Sequence, residues 1–94
     1  MIKNKLDKLN QKLESMGLTP REVSVAELVA TGLSNKEVGE RLNIHEKTVK
    51  FHLTSVFKKL LVKSRGQLII WSAPHMSPLL KQFFEDQRIP QLPA

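Results

Sequence analysis

The 94-residue sequence predicts a small all-α protein, and three observations support that fold class. Apolar residues recur every three or four positions through residues 2–16, which is the spacing of one helix face. Two capping-box patterns, each a Ser or Thr followed three residues later by Glu, mark the starts of two further helices. Residues 46–60 contain neither glycine nor proline, and no segment shows the alternation typical of a half-buried strand.

Composition is typical of one small soluble domain. The chain has no cysteine, so its core depends on apolar packing without disulfides or thiolate-bound metal. No apolar run approaches the roughly 18 residues of a membrane-spanning helix, and the first residues lack the apolar block of a signal peptide. We therefore expect a cytoplasmic protein with no membrane partner. Its formal net charge of +6 favours an anionic partner.

The first part of the chain, residues 1–17, is predicted to form an amphipathic helix with an apolar stripe made of Ile2, Leu6, Leu9, Leu13 and Met16. This stripe must pack against something, because a lone helix of that length is marginal in water. One alternative is a coiled-coil contact with a second copy of the chain, although two heptads are too few for a stable zipper alone. The other alternative is that the stripe covers the chain's own domain.

Residues 18–71 are predicted to form the main domain, which has four helices. Thr19 and Ser34 cap the first two helices, and Gly32 ends the first of them. A turn of about three residues then leads into the third and longest helix. We place the four helices from residue 20 to a close at residues 31–32, at residues 35–42, at residues 46–60 and from residue 65 to about residue 71.

Residues 72–94 form a proline-punctuated tail with one short helix, predicted from Pro78 to about Gln87 with Ser77 as its cap. Two alternatives remain for the apolar cluster of this tail. It either folds back onto the small core, which we favour because large apolar side chains prefer burial, or docks a partner. The cluster consists of Leu79, Leu80, Phe83 and Phe84.

The helix at 46–60 has two chemically different faces when successive residues advance by about 100°. One face is an apolar stripe suited to the core and consists of Val49, Leu53, Val56 and Leu60. The opposite arc mixes cations with a hydroxyl group and an aromatic ring and consists of Lys47, Lys50, Phe51, Thr54 and Lys58. A solvated lysine face is the plain alternative, but an exposed Phe51 between lysines has no evident structural use.

The arc has the chemistry of a helix that enters the major groove of double-stranded DNA. Ammonium groups meet guanine acceptors or phosphates, a threonine hydroxyl bonds to a base edge, and a phenyl ring touches a thymine methyl group. Around it, residues 45–65 hold six lysines and arginines against one acid, and we call this segment the basic window. Concentrated positive charge at this place favours DNA as the partner.

Residues 18–69 closely resemble the LuxR-type helix-turn-helix domain, also called the GerE or NarL-type domain. The resemblance rests on four motifs in family order and spacing: LTPRE at 18–22, GLSNKE at 32–37, TVK with a following histidine at 48–52, and KL with a following KSR at 59–65. It implies a DNA-binding transcriptional regulator of four helices. The third helix is expected in the major groove, and the fourth often forms a two-fold dimer.

The resemblance also implies roles for individual residues. Base contacts are implied at Lys50, Phe51 and Thr54. Phosphate contacts are implied at Ser34, Asn35, Lys36, Lys47, Thr48 and Lys58. A homodimer is implied, with candidates on the fourth helix at Leu68, Ile69 and Trp71. If the first helix takes part, its candidates are Leu6, Leu9 and Leu13.

Three positions depart from the family pattern. His45 stands where Ser or Thr usually caps the third helix, so either that helix start is less rigid or His45 approaches a phosphate. Gly39 replaces the usual Ala and costs up to about 1 kcal/mol of helix propensity. Leu61 replaces the usual Gly, so either the third helix continues farther or Leu61 contacts another element.

We do not expect an enzyme. The three histidines share no ligand spacing, and the chain has no Gly-rich phosphate loop or nucleophile elbow, so neither a metal, a cofactor nor a catalytic site is predicted. The alternative function is a protein-interaction module that binds another regulator or RNA polymerase without reading DNA. In its favour, the sequence contains no receiver or ligand-binding domain to regulate a standalone factor. The basic arc favours DNA.

Overall fold

The computed structural model describes residues 5–76, with side chains from Lys8 onward. This part of the chain is all-helical, which confirms the predicted fold class. The predicted bounds of the first three main-domain helices are also confirmed. The predicted tail helix from Pro78 to about Gln87 lies outside the described residues. The helices are α1 (Lys5–Ser15), α2 (Pro20–Ala30), α3 (Asn35–Leu42), α4 (Glu46–Leu60) and α5 (Arg65–Met76).

Side-chain caps set the starts of α2 and α3. The Thr19 hydroxyl oxygen accepts the Glu22 backbone N–H at 3.2 Å, while Glu22 Oε1 accepts the Thr19 N–H at 2.9 Å. Ser34 and Glu37 make the same reciprocal pair at 3.1 and 2.8 Å. Each capping box satisfies two N–H groups that would otherwise lack an intrahelical partner. Both capping boxes predicted from the sequence are formed.

His45 caps α4 in place of a hydroxyl residue. Its backbone is extended, and its Nδ1 accepts the backbone N–H of Lys47 at 3.2 Å. A neutral imidazole with its proton on Nε2 can accept at Nδ1 as a serine oxygen would. The helix start therefore keeps a side-chain cap, although the capping atom is a nitrogen.

The helices α1 to α4 end in one common way. Within two residues of each end the backbone takes a positive φ, and the next N–H bonds to a carbonyl five residues earlier. Gly17, Gly32 and Asn43 are suited to that conformation, whereas Leu61 at φ 59° is not. Both expectations for Leu61 are wrong, because α4 ends at Leu60 and the Leu61 side chain is 88% exposed.

One apolar core joins all five helices. The α2 helix packs against α4 and α5, and α1 packs against α5 and α2. Leu9 and Leu13 of α1 are fully buried in the same cluster as Val29 of α2, Val56 of α4 and Leu68 of α5. Of the two alternatives for the first helix, the structure supports the one in which its stripe covers the chain's own domain.

The α5 helix is longer than expected. The sequence predicts an end near Trp71, but the helix continues to Met76 with Pro74 inside it. Proline cannot donate the helical bond to the carbonyl of Ile70. The α5 helix nevertheless packs against both α1 and α2, and Ser72 is fully buried. None of the helices within residues 5–76 is long and apolar enough to cross a membrane.

Candidate nucleic-acid interface

The α4 helix has one buried and one exposed face. Its buried side chains are Val49, Leu53, Val56 and Leu60. Its exposed side chains include Lys47, Lys50, Phe51, Thr54 and Lys58. The ring of Phe51 is 73% exposed and stands edge-on to His52, with ring centroids 5.9 Å apart. The face selected from the sequence is therefore available to a ligand.

Internal hydrogen bonds decide what this face offers. The Thr54 hydroxyl donates to the Lys50 carbonyl oxygen at 3.1 Å, so its oxygen is left as an acceptor. An acceptor suits the amino group of adenine or cytosine, whereas the ammonium group of Lys50 suits guanine or phosphate. Together with the Phe51 ring, the centre of α4 presents a donor, an acceptor and an apolar contact.

The α3 helix brings a second predicted group to the same surface. Asn35, the first residue of α3, lines a shallow depression of about 220 Å³ together with Lys50 and Thr54. The remaining lining residues are Leu53, Phe57 and Arg65. One predicted phosphate contact and two predicted base contacts thus share one site, although they come from different helices.

The other predicted phosphate contacts are exposed at helix ends. Near the starts of α3 and α4 they are Ser34, Lys36, Lys47 and Thr48, and near the end of α4 it is Lys58. Ser34 is the weakest donor in this set. Its backbone N–H already donates to Glu37, and this bond together with the Ser34 hydroxyl holds the pKa of the Glu37 carboxyl below its usual value.

One cation of the basic window has a different partner. Lys59 Nζ donates to Glu22 Oε1 at 2.7 Å and to the Gly17 carbonyl oxygen at 3.1 Å. Burial raises the pKa of the Glu22 carboxyl, but hydrogen bonds from Lys59, Ser55 and Thr19 outweigh that effect and lower the pKa to about 2. Lys59 therefore ties α4 to α2, a contact that the sequence analysis did not anticipate.

Arg65 also makes internal bonds. Its Nη1 donates to Asn35 Oδ1 at 2.7 Å, and its Nη2 donates to the Leu33 carbonyl oxygen. These bonds hold the start of α5 against the start of α3. The sequence reasoning missed this contact, because no single-sequence signal pairs residues 30 positions apart.

The candidate dimer residues differ in burial. Fully buried inside the chain, and so inaccessible to a second copy, are Leu9, Leu13 and Leu68. Half-buried on α5 are Ile69 and Trp71.

Ile70, which the sequence reasoning did not select, is 61% exposed. A wheel drawn on Leu68 and Ser72 could have found it, because residues four apart share a helix face and Ile70 lies opposite. The side chain of Leu6 lies outside the described residues.

The histidines of the described region have contacts of other kinds. His45 caps α4, and the ring of His75 lies 5.1 Å from that of Trp71. Among the side chains described, from Lys8 to Met76, no three His, Asp or Glu residues are grouped so that they could hold a metal ion.

A family model described as bacterial regulatory proteins, luxR family, matches residues 16–72. The match includes all of α2, α3 and α4 and most of α5, and it covers more than half of the chain. The chain belongs to the luxR family. The luxR region thus contains every helix that contributes to the exposed face, and α1 lies outside it.

Several regulators are similar in sequence to part of this chain. The chain is 46% identical over 54 residues to the nitrate/nitrite response regulator protein NarL of Escherichia coli K12, covering 57% of this chain and 25% of NarL. It is 42% identical over 69 residues to the transcriptional regulatory protein LnrK of Bacillus subtilis 168, covering 73% and 30%. The CsgBAC operon transcriptional regulatory protein of Escherichia coli K12 is 44% identical over 59 residues, covering 63% and 27%. The chain thus spans less than a third of each of these relatives.

Proposed function

We propose that this luxR-family chain regulates transcription by binding double-stranded DNA in a sequence-dependent way, with α4 in the major groove. The observation that carries the proposal is the single surface on which Lys50 and Thr54 of α4 meet Asn35 of α3. A helix with its side chains is about 10–12 Å wide and fits a major groove about 12 Å wide. A regulator of this kind acts on the bacterial chromosome, so we place it in the cytoplasm.

Three residues at the centre of α4 would read bases. Lys50 would bond to guanine O6 or N7, and the Thr54 oxygen would accept from an adenine or cytosine amino group, because its own hydrogen is bound to the Lys50 carbonyl oxygen. Phe51 would touch a thymine methyl group. These three proposed roles are supported by the exposure of all three side chains on one face of the helix.

Residues around this centre would position α4 in the groove. Lys47 and Lys58 are exposed at its two ends, about 16 Å apart along the axis at about 1.5 Å per residue. Thr48 lies beside Lys47, and Asn35 and Lys36 extend the set onto α3. Such contacts fix register and orientation and carry no sequence information themselves.

The first experiment measures affinity against salt concentration on a duplex that the wild-type chain selects from a random pool. Phosphate contacts release counterions, so affinity should fall steeply, with a logarithmic slope of about 0.9 per contact. Lys47→Glu and Lys58→Glu should weaken binding to selected and random DNA alike. Lys12→Glu, an equal charge change at an exposed position of α1, is the matched control and should have a much smaller effect.

Failure to bind any DNA at low salt would refute the proposal. A protein-interaction module that contacts RNA polymerase or another regulator would then remain, and it would give no enrichment from the pool.

A second experiment separates base reading from phosphate binding. Lys50→Ala should cost roughly 1–3 kcal/mol on the selected duplex and much less on random DNA. Replacing each thymine of the site by uracil removes one methyl group at a time, and at least one replacement should weaken binding if Phe51 touches that methyl. If Lys50→Ala loses the same affinity on both duplexes, Lys50 contacts a phosphate and does not read a base.

A further inference from the structure

We propose that Arg65 is a positioning residue that orients the Asn35 side chain, so that the amide NH2 of Asn35 donates to a phosphodiester oxygen of the bound DNA. This inference rests on the proposed function. It adds a residue outside α4 that controls the geometry of the α3 contact.

The Arg65 guanidinium bonds to two acceptors at the start of α3. Nη1 reaches Asn35 Oδ1 at 2.7 Å, and Nη2 reaches the carbonyl oxygen of Leu33. The two acceptors flank the capped start of α3, one just before Ser34 and the other just after it. Two bonds from one planar group fix the direction of approach, which a lysine ammonium with freely rotating donors would not do.

The bond from Arg65 determines which end of the Asn35 amide remains for a ligand. A carboxamide has one accepting end and one donating end, and they are hard to distinguish by shape alone. A guanidinium has donors only, so the end of Asn35 that meets Arg65 must be the oxygen. The NH2 group is then the end left for a ligand. Without Arg65, the amide can rotate and present its oxygen, which a phosphate would repel.

Positive charge surrounds the contact between Arg65 and Asn35. Both acceptors of Arg65 are neutral, so its positive charge is not cancelled by these bonds, and Lys50 adds a second cation to the same depression. A depression lined by two cations and an amide donor suits an anionic oxygen. Because Lys50 and Thr54 line the depression as well, the phosphodiester would lie next to the bases that α4 reads.

The test is a double-mutant cycle in DNA affinity on the full chain, with the duplex selected by the wild type as the probe. Asn35→Ala and Arg65→Lys should each reduce affinity about five- to tenfold, to a similar degree on selected and random duplexes. The double variant should lose little more than Asn35→Ala alone, because Arg65 acts through Asn35. Arg41→Lys changes an exposed arginine of α3 and is the control expected to bind as the wild type.

A spectroscopic readout separates positioning from folding. In the wild type, the Asn35 side-chain 15N-1H2 resonances should be sharp and should shift on addition of DNA. In Arg65→Lys they should move towards the position of a freely rotating amide, while the backbone resonances of α4 stay in place. Unchanged Asn35 resonances in Arg65→Lys would overturn the proposal.

Asn35→Asp keeps the test decisive if Arg65→Lys does not fold. This variant retains an acceptor for Arg65 and should melt no lower than the wild type, yet it replaces the NH2 donor by a carboxylate and should lose at least tenfold in DNA affinity. If the wild type binds DNA but Asn35→Asp binds equally well, or the cycle is additive, the Arg65 inference fails alone. If the wild type binds no DNA, the proposed function fails with it.

Discussion

At the scale of single residues, Leu61 is the least suited to its backbone conformation among residues 5–76. It takes the left-handed position after α4 at φ 59°, where Gly17 and Gly32 serve the first two helices and Asn43 the third. An L-residue with a large side chain pays roughly 1–2 kcal/mol there, and the 88% exposed side chain recovers little by packing. Glycine, which has no Cβ, would therefore relieve the conformational strain at the end of α4.

Leu61→Gly should raise the free energy of unfolding by about 0.5–1 kcal/mol, since relief of strain exceeds the added chain entropy of glycine in the unfolded state. Urea denaturation should show a higher midpoint with an unchanged slope. Asn43→Gly is the matched control and should gain less, because asparagine tolerates this conformation. A loss of stability at Leu61→Gly, or an equal gain at both sites, would contradict this account.

At the scale of elements, Gly39 sets how closely α3 approaches the turn into α4. A Cβ at this position would lie 2.7 Å from the carbonyl oxygen of Ile44 and 3.5 Å from the backbone nitrogen of Glu46. Both atoms belong to the backbone, so the turn itself would have to move. Gly66 of α5 is different, because a Cβ there would meet nothing closer than the Ser64 hydroxyl at 3.9 Å.

The same substitution at the two glycines should have opposite effects on stability. Gly66→Ala should stabilise the protein by about 0.5–1 kcal/mol through helix propensity. Gly39→Ala should destabilise it by about 1 kcal/mol, because overpacking costs about 1–3 kcal/mol and the propensity gain is smaller. Thermal unfolding of both variants measures the difference. Equal stabilisation would mean that the turn between α3 and α4 yields easily.

A second element-scale contact is the ion pair of Glu22 and Lys59, which joins α2 to α4. The Glu22 carboxyl has an ordinary pKa of 4.5 in the unfolded chain and a pKa of about 2 in the fold. A lowered pKa means that the pair stabilises the fold fully above pH 4.5 and loses that effect as the pH falls towards 2. Acid should therefore weaken the attachment of α4 to α2.

Glu22→Gln tests this directly, because glutamine keeps the capping box and removes only the charge. We expect the variant to be about 2 kcal/mol less stable than the wild type at pH 7, and the gap should close between pH 4.5 and pH 2. Urea midpoints over this pH range give the measurement. If the stability difference between the wild type and Glu22→Gln persists unchanged at pH 2, the lost stability comes from packing and not from the charge.

Local signals explain how much of these elements could be predicted. Thr19 and Ser34 each sit three residues before the Glu they bond, so the starts of α2 and α3 can be predicted from a short window. The exposed face of α4 follows from its 3.6-residue period. The contacts of Lys59 with Glu22 and of Arg65 with Asn35 span 37 and 30 positions, and only the folded chain pairs them.

At the scale of the whole molecule, burial assigns the first helix to the core, whereas α5 keeps one large apolar side chain exposed. Leu9 and Leu13 are fully inside, so removing their side chains damages the fold itself. Ile70 of α5 is 61% exposed, and burying the rest of this apolar side chain would favour association. In a two-fold dimer each copy contributes its own Ile70, so the contact contains this side chain twice. We therefore propose a homodimer around Ile70, with Ile69 and Trp71 at its edge.

Ile70→Glu should convert the full chain from dimer to monomer in sedimentation without lowering its melting temperature in the dilute monomer, because the side chain makes few contacts within its own chain. The monomer should still bind one half-site but lose cooperativity on paired half-sites. Leu61→Glu is the matched control, since it places the same charge at another exposed aliphatic side chain and should leave the dimer intact. Leu13→Ala should instead cost about 2–5 kcal/mol of stability through a core cavity. A wild-type chain that stays monomeric at all concentrations and binds paired half-sites independently would refute the dimer, because the exposed Ile70 would then have no symmetry mate to cover it.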